Sequence, residues 1–427
     1  MRGLHLIKDK DRNREVYFNS NTLELFERVN GEDFRDSVED IVCERNEHVL
    51  EFVINPSATQ SDIHRITVCV ANDCNLRCRY CYAQGGSYGS SRKLMDESTA
   101  RDFVDFCIRK FNKINRILFF GGEPLLNWSI IDLICTLFKE KSCSRNFHQP
   151  SFSIVTNGTV FSEQIFSVIE KHISHVTVSI DGDKIVNDSN RVFPNSAGTY
   201  DKISYFIRRV KCLQSVNLSF EATFTPEHLY HNQSRFDVKK YIQSEFGIDG
   251  VIVDEDKMDK KHLLKCLKQI TKKDLIDSDF ENLPLDFWQI LLSITTKKHN
   301  YFCRIFRDRF TITTDGDVVG CQMLIGKKGS VIGSIKDGDI LDRISNSIVE
   351  FKNNEHCKAC WCNSLCGGCC IEKFFHDKNG VPSVLPNKDL CEFTKHYVET
   401  ILLLIYEIRI DSSVWNLFMT KCKNKFQ

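Results

Sequence analysis

An excess of either charge is missing from this 427-residue chain, in which 57 Lys and Arg stand against 57 Asp and Glu for a formal net charge of +0. That balance excludes a bulk electrostatic pull toward nucleic acid or an acidic membrane surface as the organising force. Long apolar runs are also missing. The late stretch ILLLIY, starting at Ile401, falls far short of the roughly 20 apolar residues that cross a bilayer. At the N-terminus, MRGLHLIKDKDRNREV alternates apolar and charged residues and holds no continuous apolar core of the signal-peptide kind. A cytoplasmic protein with no membrane and no nucleic-acid partner is expected. There is no internal repeat, and no low-complexity tract apart from the loop AQGGSYGSSRK after Cys81.

What the chain has in excess is cysteine. Hydrophobic content of 42% and charged content of 27% are ordinary for a soluble globular protein, but twenty cysteines is about twice the usual number for a cytosolic chain of this size. In a reducing compartment they are buried small hydrophobes or metal ligands rather than disulfides. Cys107 shares a helical stripe with Phe103, Val104, Ile108 and Phe111, and Cys135 lies among Ile131, Ile134 and Phe138, so both read as core. Cys43, Cys143, Cys212, Cys266 and Cys422 have no ligand-like neighbours and read the same way, as does Cys69 in the strand ITVCV.

The length exceeds one ordinary core, which predicts two or three domains or a barrel with appendages. Residues 1–65 read as a small αβ module, with strand-like LHLIK and REVYF, a turn at NSN and a helical run near EDFRDSVEDIVCE. Over 66–255 the runs ITVCV, RILFF, FSIVT, HVTVSI, VNLSFEATF and GVIVD alternate with amphipathic helical patterns. Strand, helix and strand repeated in this way predict parallel βαβ units, and six strands predict a partial or closed barrel of α/β class, a partial (β/α)6 TIM-type barrel. Residues 256–302 read as a charged helical linker whose interspersed lysines form a solvated face. From 303 to 395 the chain is rich in turns and cysteine, and 396–427 reads as a C-terminal helix.

Cys74, Cys78 and Cys81 are spaced C-x3-C-x2-C in a loop directly after the first barrel strand. Three thiolates in one loop suit an iron–sulfur cube whose fourth iron has no protein ligand. Structural zinc is the alternative for such a triplet, but it takes four closed ligands, usually paired as CxxC. The segment CNLRCRYCY, with Tyr80 before the third cysteine, resembles the signature of the radical SAM enzymes. Further segments resemble that family in the expected order: FFGGEP, with Gly121, Gly122, Glu123 and Pro124; VTNGT, with Thr156 and Asn157; VSIDG, with Ser179 and Asp181; and Arg191 in NDSNRVF. By resemblance, Glu123 accepts from the amino group of S-adenosylmethionine (SAM), the two later strand ends line its ribose and methionine, and Arg191 pairs with its carboxylate. The resemblance implies reductive cleavage of SAM and removal of hydrogen from an unactivated carbon by a 5′-deoxyadenosyl radical.

The later cysteines run Cys303, Cys321, Cys357-x2-Cys360-x5-Cys366-x3-Cys370 and Cys391. This field resembles the SPASM extension of peptide-modifying radical SAM enzymes, which holds two auxiliary clusters, so three 4Fe-4S clusters are implied. By that resemblance Cys357, Cys360, Cys366 and Cys391 close the distal cluster, while Cys303, Cys321 and Cys370 hold the nearer one. Its fourth position is either open or filled by Cys362 or Cys369. Sulfatase-maturing relatives place an acidic base directly after the cysteine corresponding to Cys321; here Gln322 stands there, and an amide takes no proton at neutral pH.

The N-terminal module is similar to leader-recognition elements, which capture a peptide by strand addition at a sheet edge. The expected partners are therefore a precursor peptide with its leader and a flavodoxin- or ferredoxin-type reductant. The expected reaction is thioether formation between a cysteine sulfur and a carbon of the peptide. Carbon–carbon or carbon–oxygen crosslinking and formylglycine formation on a sulfatase are the enzymatic alternatives; an iron–sulfur electron carrier is the non-enzymatic one.

Overall fold

In a computed structural model, the chain is described over residues 4–9, 14–29, 32–34, 62–145, 147–248, 250–255, 308–344, 355–366 and 386–426, with parts of 264–306. It opens with β1 (Leu4–Asp9), β2 (Arg14–Asn19), β3 (Glu24–Val29) and β4 (Glu32–Phe34). These form an antiparallel sheet in chain order. The register sets Ile7 against Val16 and Phe18 against Leu25, so alternation gathers one apolar face. Strands were expected at LHLIK and REVYF, and both are present. The helical run expected from Glu32 begins instead as β4, because Glu32–Phe34 takes ladder bonds from β3, and pairing outweighs a weak helical preference. The rest of that run lies outside the described residues.

The six strands anticipated in the main unit are β5 (Asp62–Ala71), β6 (Lys113–Gly121), β7 (Ser151–Thr156), β8 (His175–Ser179), β9 (Asn217–Phe224) and β10 (Val251–Glu255). Each pairs in parallel with the next. Helices α1 (Glu97–Lys110), α2 (Trp128–Arg145), α3 (Glu163–His172), α4 (Lys184–Asn190), α5 (Tyr200–Lys211), α6 (Pro226–Tyr230) and α7 (Arg235–Phe246) lie in the connections. Right-handed crossovers without a reversal of strand order keep such helices on one side of the sheet. There Val68, Phe119 and Val178 meet Phe103, Phe138 and Phe206 in one core. Asp96 caps α1 by accepting from the Thr99 N–H at 2.7 Å, and Ser162 caps α3 from Ile165 at 3.3 Å.

The sheet does not end with these six strands. β11 (Arg309–Ile312) pairs in parallel with the outer edge of β5, followed by antiparallel β12 (Asp317–Val319) and β13 (Gly333–Ser334). Phe310, Ile312 and Val318 join the same core. Helices α8 (Lys272–Asp277), α9 (Leu285–Thr296), α10 (Glu355–Lys358), α11 (Lys388–Ile410) and α12 (Ser412–Phe426) complete the described elements. The helix expected over 396–427 is thus a pair of helices. Asp411 breaks it by turning its carboxylate onto the N–H groups of Ser413 and Val414, both at 3.1 Å, which starts a new helix. No helix among the described residues is long and apolar enough to cross a membrane.

The described cysteines are all free thiols. Cys69, Cys107 and Cys135 are fully buried, as core packing requires. Cys212 corrects that expectation: it is exposed, because it caps the C-terminus of α5 beyond the last apolar position, with its thiol on the Arg208 carbonyl at 3.3 Å. The side chains of Cys43, Cys143, Cys266 and Cys422 lie outside the described residues.

The core makes a simple prediction. Phe119 is fully buried, in a stack with Phe152 at 6.0 Å, so Phe119→Ala should cost about 3–5 kcal/mol. The check is a lower denaturant midpoint with an unchanged slope.

Candidate active site

The chemistry-bearing residues lie at the C-terminal ends of the parallel strands. β5 delivers Ala71, Asn72 and Asp73, and Cys74 follows. Asp73 accepts from the Cys74 N–H at 2.8 Å and pairs with Arg92 at 2.5 Å, which starts the loop in a fixed direction. Two glycines then let three stretches of backbone meet. A Cβ on Gly122 would lie 2.3 Å from the Asp73 carbonyl oxygen, and one on Gly86 would lie 2.8 Å from the Cys74 nitrogen. Bare backbone at both places allows the Glu123 N–H to donate to the Asp73 carbonyl at 2.8 Å. Gly121, whose backbone passes close to Ala71, offers its carbonyl to the Tyr88 hydroxyl at 3.1 Å.

Backbone N–H groups turn toward the thiols. Leu76 donates to the Cys74 sulfur and Gly85 to the Cys81 sulfur, each at 3.4 Å, and the Asn157 amide reaches Cys74 at 3.6 Å. Burial, followed by the Glu123 carboxylate, pushes the Cys74 thiol up to about 12. Burial also raises Cys78, against the Arg191 guanidinium, which lowers it. Thiols raised in this way stay protonated at neutral pH unless a metal takes the place of the proton. Cys78 and Cys81 both add to the rise at Cys74, so the three thiols lie near one another. Among the described residues no three His, Cys, Asp or Glu side chains are arranged to hold a single ion.

Glu123 is fully buried. Its carboxylate accepts from Leu125 N–H at 3.0 Å, the Thr156 hydroxyl at 2.7 Å and Asn157 N–H at 2.7 Å. Burial pushes its carboxyl up to about 6, and those three donors hold the rise down. Pro124, which has no N–H to satisfy, opens the 3-10 turn Pro124–Asn127. Asn127 at its end is itself buried and donates to the carbonyls of Val70 and Met95, both at 2.9 Å. Glu123 thus ties the end of β6 to the end of β7. Ser179 closes β8, half-buried and opposite Glu221 on β9.

Arg191 is placed by the cysteine loop. The N–H groups of Arg77 and Arg79 donate to the carbonyls of Val192 and Asn190, at 2.7 and 3.0 Å, which sets Arg191 beside Tyr80. Its guanidinium donates to the Tyr80 hydroxyl at 2.5 Å, and that hydroxyl donates to Asp181 at 2.7 Å. Arg191 and Asp181 are 7% and 0% exposed. The nearest atoms of their charged groups, Arg191 Nη1 and Asp181 Oδ1, are 3.9 Å apart, and the same Oδ1 accepts from Thr223 N–H at 3.0 Å. The Arg191 Nε finds no hydrogen-bond partner among the described residues. A buried guanidinium with an unused donor is a fitting seat for an anionic group such as a carboxylate.

Sequence reading missed the residues that hold these groups in place. Asn75 bridges the cysteine loop to Asn157 and Thr159, at 2.9 and 2.8 Å. His228 holds the Asp181 carbonyl at 2.7 Å while accepting from Thr225 N–H at 3.0 Å. Asn75 sits inside the cysteine motif and could have been singled out; nothing local marks His228.

Residues 68–211 match the model of the radical SAM superfamily. This stretch is a radical SAM domain. That family implies one 4Fe-4S cluster and SAM, and the triplet, the close-packed glycines and the unpaired Arg191 donor fit both. An uncharacterized protein of Methanocaldococcus jannaschii is 29% identical over 63% of this chain and 87% of its own. The radical SAM cyclopropyl synthase TigE of Paramaledivibacter caminithermalis is 26% identical over 74% of this chain and 70% of its own. A cysteine-type anaerobic sulfatase-maturating enzyme of Clostridium novyi is 24% identical over 77% and 92%. The solved structure of anSMEcpe with bound AdoMet shares the fold at a TM-score of 0.63 and 20% identity, covering 83% of this chain and 98% of that one. Streptococcus suis SuiB bound to precursor peptide SuiA follows at 0.50 and 16%, covering 76% and 75%.

Beyond the radical SAM domain, Cys321 and Cys357 pack on the small core that holds Cys69, Ala83 and Tyr88, on which Cys81 also packs. Cys360 and Cys391 both lie close to Lys395, whose ammonium is held up first by Glu392 and then by those two thiols. Cys362 is 1% exposed and belongs to a different core cluster from Cys321. Cys303, Cys369 and Cys370 lie outside the described residues.

Two tests follow from this geometry. Gly122→Ala forces the Asp73 carbonyl away, so the reconstituted protein should lose most of its SAM cleavage and bind less iron; unchanged iron content would contradict the close approach. Glu123 has its folded value above its ordinary one of 4.5. As pH rises from about 4.5 to 6, the unfolded chain therefore ionises first, and stability falls by about 2 kcal/mol. In metal-free protein this decline should be present in the parent chain and absent from Glu123→Gln, as read by denaturation at pH 4.5 and 7.

Proposed function

We propose that the chain is a peptide maturase that closes thioether bonds, from a cysteine sulfur to carbon, in a ribosomally made precursor peptide. The observation that carries the radical part is the gathering of Cys74, Cys78 and Cys81 beside Glu123, Asn157 and the unpaired Arg191 donor. A cluster and SAM bound there supply a 5′-deoxyadenosyl radical that removes a hydrogen atom from a substrate carbon. Cys74, Cys78 and Cys81 would hold the cluster, with the N–H groups of Leu76 and Gly85 stabilising sulfur charge. Arg191, steadied by Tyr80 and Asp181, would take the SAM carboxylate. Glu123 orders the strand ends around the close-packed backbone of Gly121 and Gly122.

The peptide part is supported by the fold shared with SuiB, which was solved with its precursor peptide. In closing the bond, one carbon–hydrogen and one sulfur–hydrogen bond are lost and one carbon–sulfur bond is formed. One hydrogen leaves on 5′-deoxyadenosine. The other leaves as a proton, and its electron replaces the one consumed in cleaving SAM, so SAM is the net oxidant. We assign Cys303, Cys321 and Cys370 to a nearer auxiliary cluster, and Cys357, Cys360, Cys366 and Cys391 to a distal one. The corresponding division is a module at 1–65, a partial barrel at 66–255, a linker at 256–302, a SPASM domain at 303–395 and a helical end at 396–427. Cys321, packed against the loop of the first triplet, is well placed for a donor thiolate. Gln322 beside it in place of an acid weighs against formylglycine formation.

A second reading, carbon–carbon closure, is favoured by the cyclopropyl synthase named among the relatives. Formylglycine formation is a third, favoured by the span of the sulfatase-maturating relative. Mass spectrometry of an anaerobic reaction with SAM, a reductant and a cysteine-bearing precursor peptide separates them. The thioether reading expects loss of two hydrogens with the matching cysteines resistant to alkylation. The same loss with every cysteine still alkylatable means a carbon–carbon or carbon–oxygen bond, and loss of sulfur means formylglycine. Cys74→Ala, Cys78→Ala and Cys81→Ala should each abolish 5′-deoxyadenosine formation; a triple variant that still makes it overturns the radical assignment.

A further inference from the structure

The N-terminal sheet is packed against the later cysteine segment. Its apolar face shares a core with the segment that carries Cys357, Cys360 and Cys366: Ile7, Val16 and Phe18 lie in one cluster with Cys362, Leu365 and Ile401 of α11. Packed against that junction is Trp361, between Cys360 and Cys362 in sequence. The His5 ring of β1 lies flat on it, with ring centres 3.7 Å apart and planes 6° apart. Phe18 meets the same indole edge-on at 6.1 Å. The His5 Nε2 bonds to Glu399 of α11 at 2.7 Å, and Tyr406 of α11 bonds to Glu27 of β3. His5 and Glu399 are each about a quarter exposed, so the stack lies at the edge of the core and holds the indole from outside.

We propose that His5, through its stack on Trp361, is a positioning residue for the cysteine loop Cys357–Cys366, so that the N-terminal sheet forms a wall against which that loop is held. The loop is built from short local turns, with Cys362 and Leu365 buried in the shared core. It is a four-residue helix, Glu355–Lys358, and a 3-10 turn, Trp361–Ser364, closed by short-range bonds such as Cys366 N–H to the Cys362 carbonyl at 2.8 Å. Turns this short do not persist without packing. Trp361 is the large ring in that turn, and the face it turns outward is covered by a residue more than 350 positions earlier in the chain. Cluster ligands must be held to a fraction of an ångström by residues that are themselves locked. An aromatic clamp on the residue immediately after Cys360 does that directly.

The test uses the full chain with His5→Ala, which removes the ring, and His5→Phe, which keeps the stack and drops the bond to Glu399. In metal-free protein, the rates at which individual cysteines are alkylated are read by mass spectrometry. A stack of this kind is worth about 0.5–1.5 kcal/mol, so His5→Ala should speed labelling of Cys360, Cys362 and Cys366 by about two- to ten-fold. Cys74, Cys78 and Cys81 should be unchanged, and His5→Phe should restore the parent rates. Unchanged labelling in His5→Ala, or an equal rise at the first triplet, overturns the proposal. Only the companion measurement rests on the auxiliary-cluster reading: after reconstitution, His5→Ala should lose iron and the auxiliary electron-spin signal while keeping the first cluster's response to SAM. If the parent chain itself binds the iron of a single cluster, that reading fails, and the labelling result still decides the role of His5.

Discussion

Everything at the mouth of the parallel sheet depends on backbone passing closer to backbone than a side chain allows. The Asp73 carbonyl, the Gly86 Cα and the backbone of Gly122 occupy a volume in which one added methyl group would lie 2.3 Å from an oxygen. That contact sets where the cysteine loop leaves β5 and where β6 ends, and it brings the Glu123 N–H onto Asp73. Once it is made, Glu123 reaches the end of β7, Asn157 reaches Cys74, and the loop runs alongside residues 190–192 so that Arg191 falls beside Tyr80. The site is a chain of consequences from one steric requirement.

The second constraint is electrostatic. Glu123 and Asp181 are fully buried and Arg191 nearly so, and buried charge is tolerated only where fixed dipoles or partners surround it. Glu123 is offset by two backbone N–H groups and a hydroxyl; Asp181 by Tyr80, Thr223 N–H and Arg191. Removing one member of either set leaves a buried charge exposed to low dielectric. The site is correspondingly rigid before any ligand arrives. Such preorganisation is what a protein contributes when its cofactors carry the hard chemistry.

Much of this was legible because it is local. The six parallel strands, the cysteine spacing and the glycine and acidic pairs at strand ends are short-range patterns, and period-two alternation or fixed spacing reveals them. What stayed hidden depends on partners far away in sequence. β4 is a strand because β3 lies beside it, against the helical pattern of its residues. β11 to β13 read as turn-rich chain because their apolar residues are few and belong to a core built elsewhere. Glu123 was expected to face a ligand, and the structure shows its carboxylate engaged by three groups of the chain itself, one at the end of the next strand and one just past it. Cys212 has no mark separating it from a core thiol except its place one step past the end of a helix. The union of the N-terminal sheet with the cysteine loop has no sequence signature at all, since a stacked His and Trp look like any two aromatic rings until the fold sets them face to face.

The sheet's continuation through β11 has a bearing on how the chain is made. β5 lies between β6 and β11, and more than half the chain separates β5 from β11. During synthesis the radical SAM domain emerges with one flank of β5 bare, its N–H and carbonyl groups open to pairing with any extended strand. That flank is covered only after residue 312 has left the ribosome. Domain-by-domain folding is therefore unavailable to this protein in its simplest form, and the nascent chain carries a sticky strand through much of its translation.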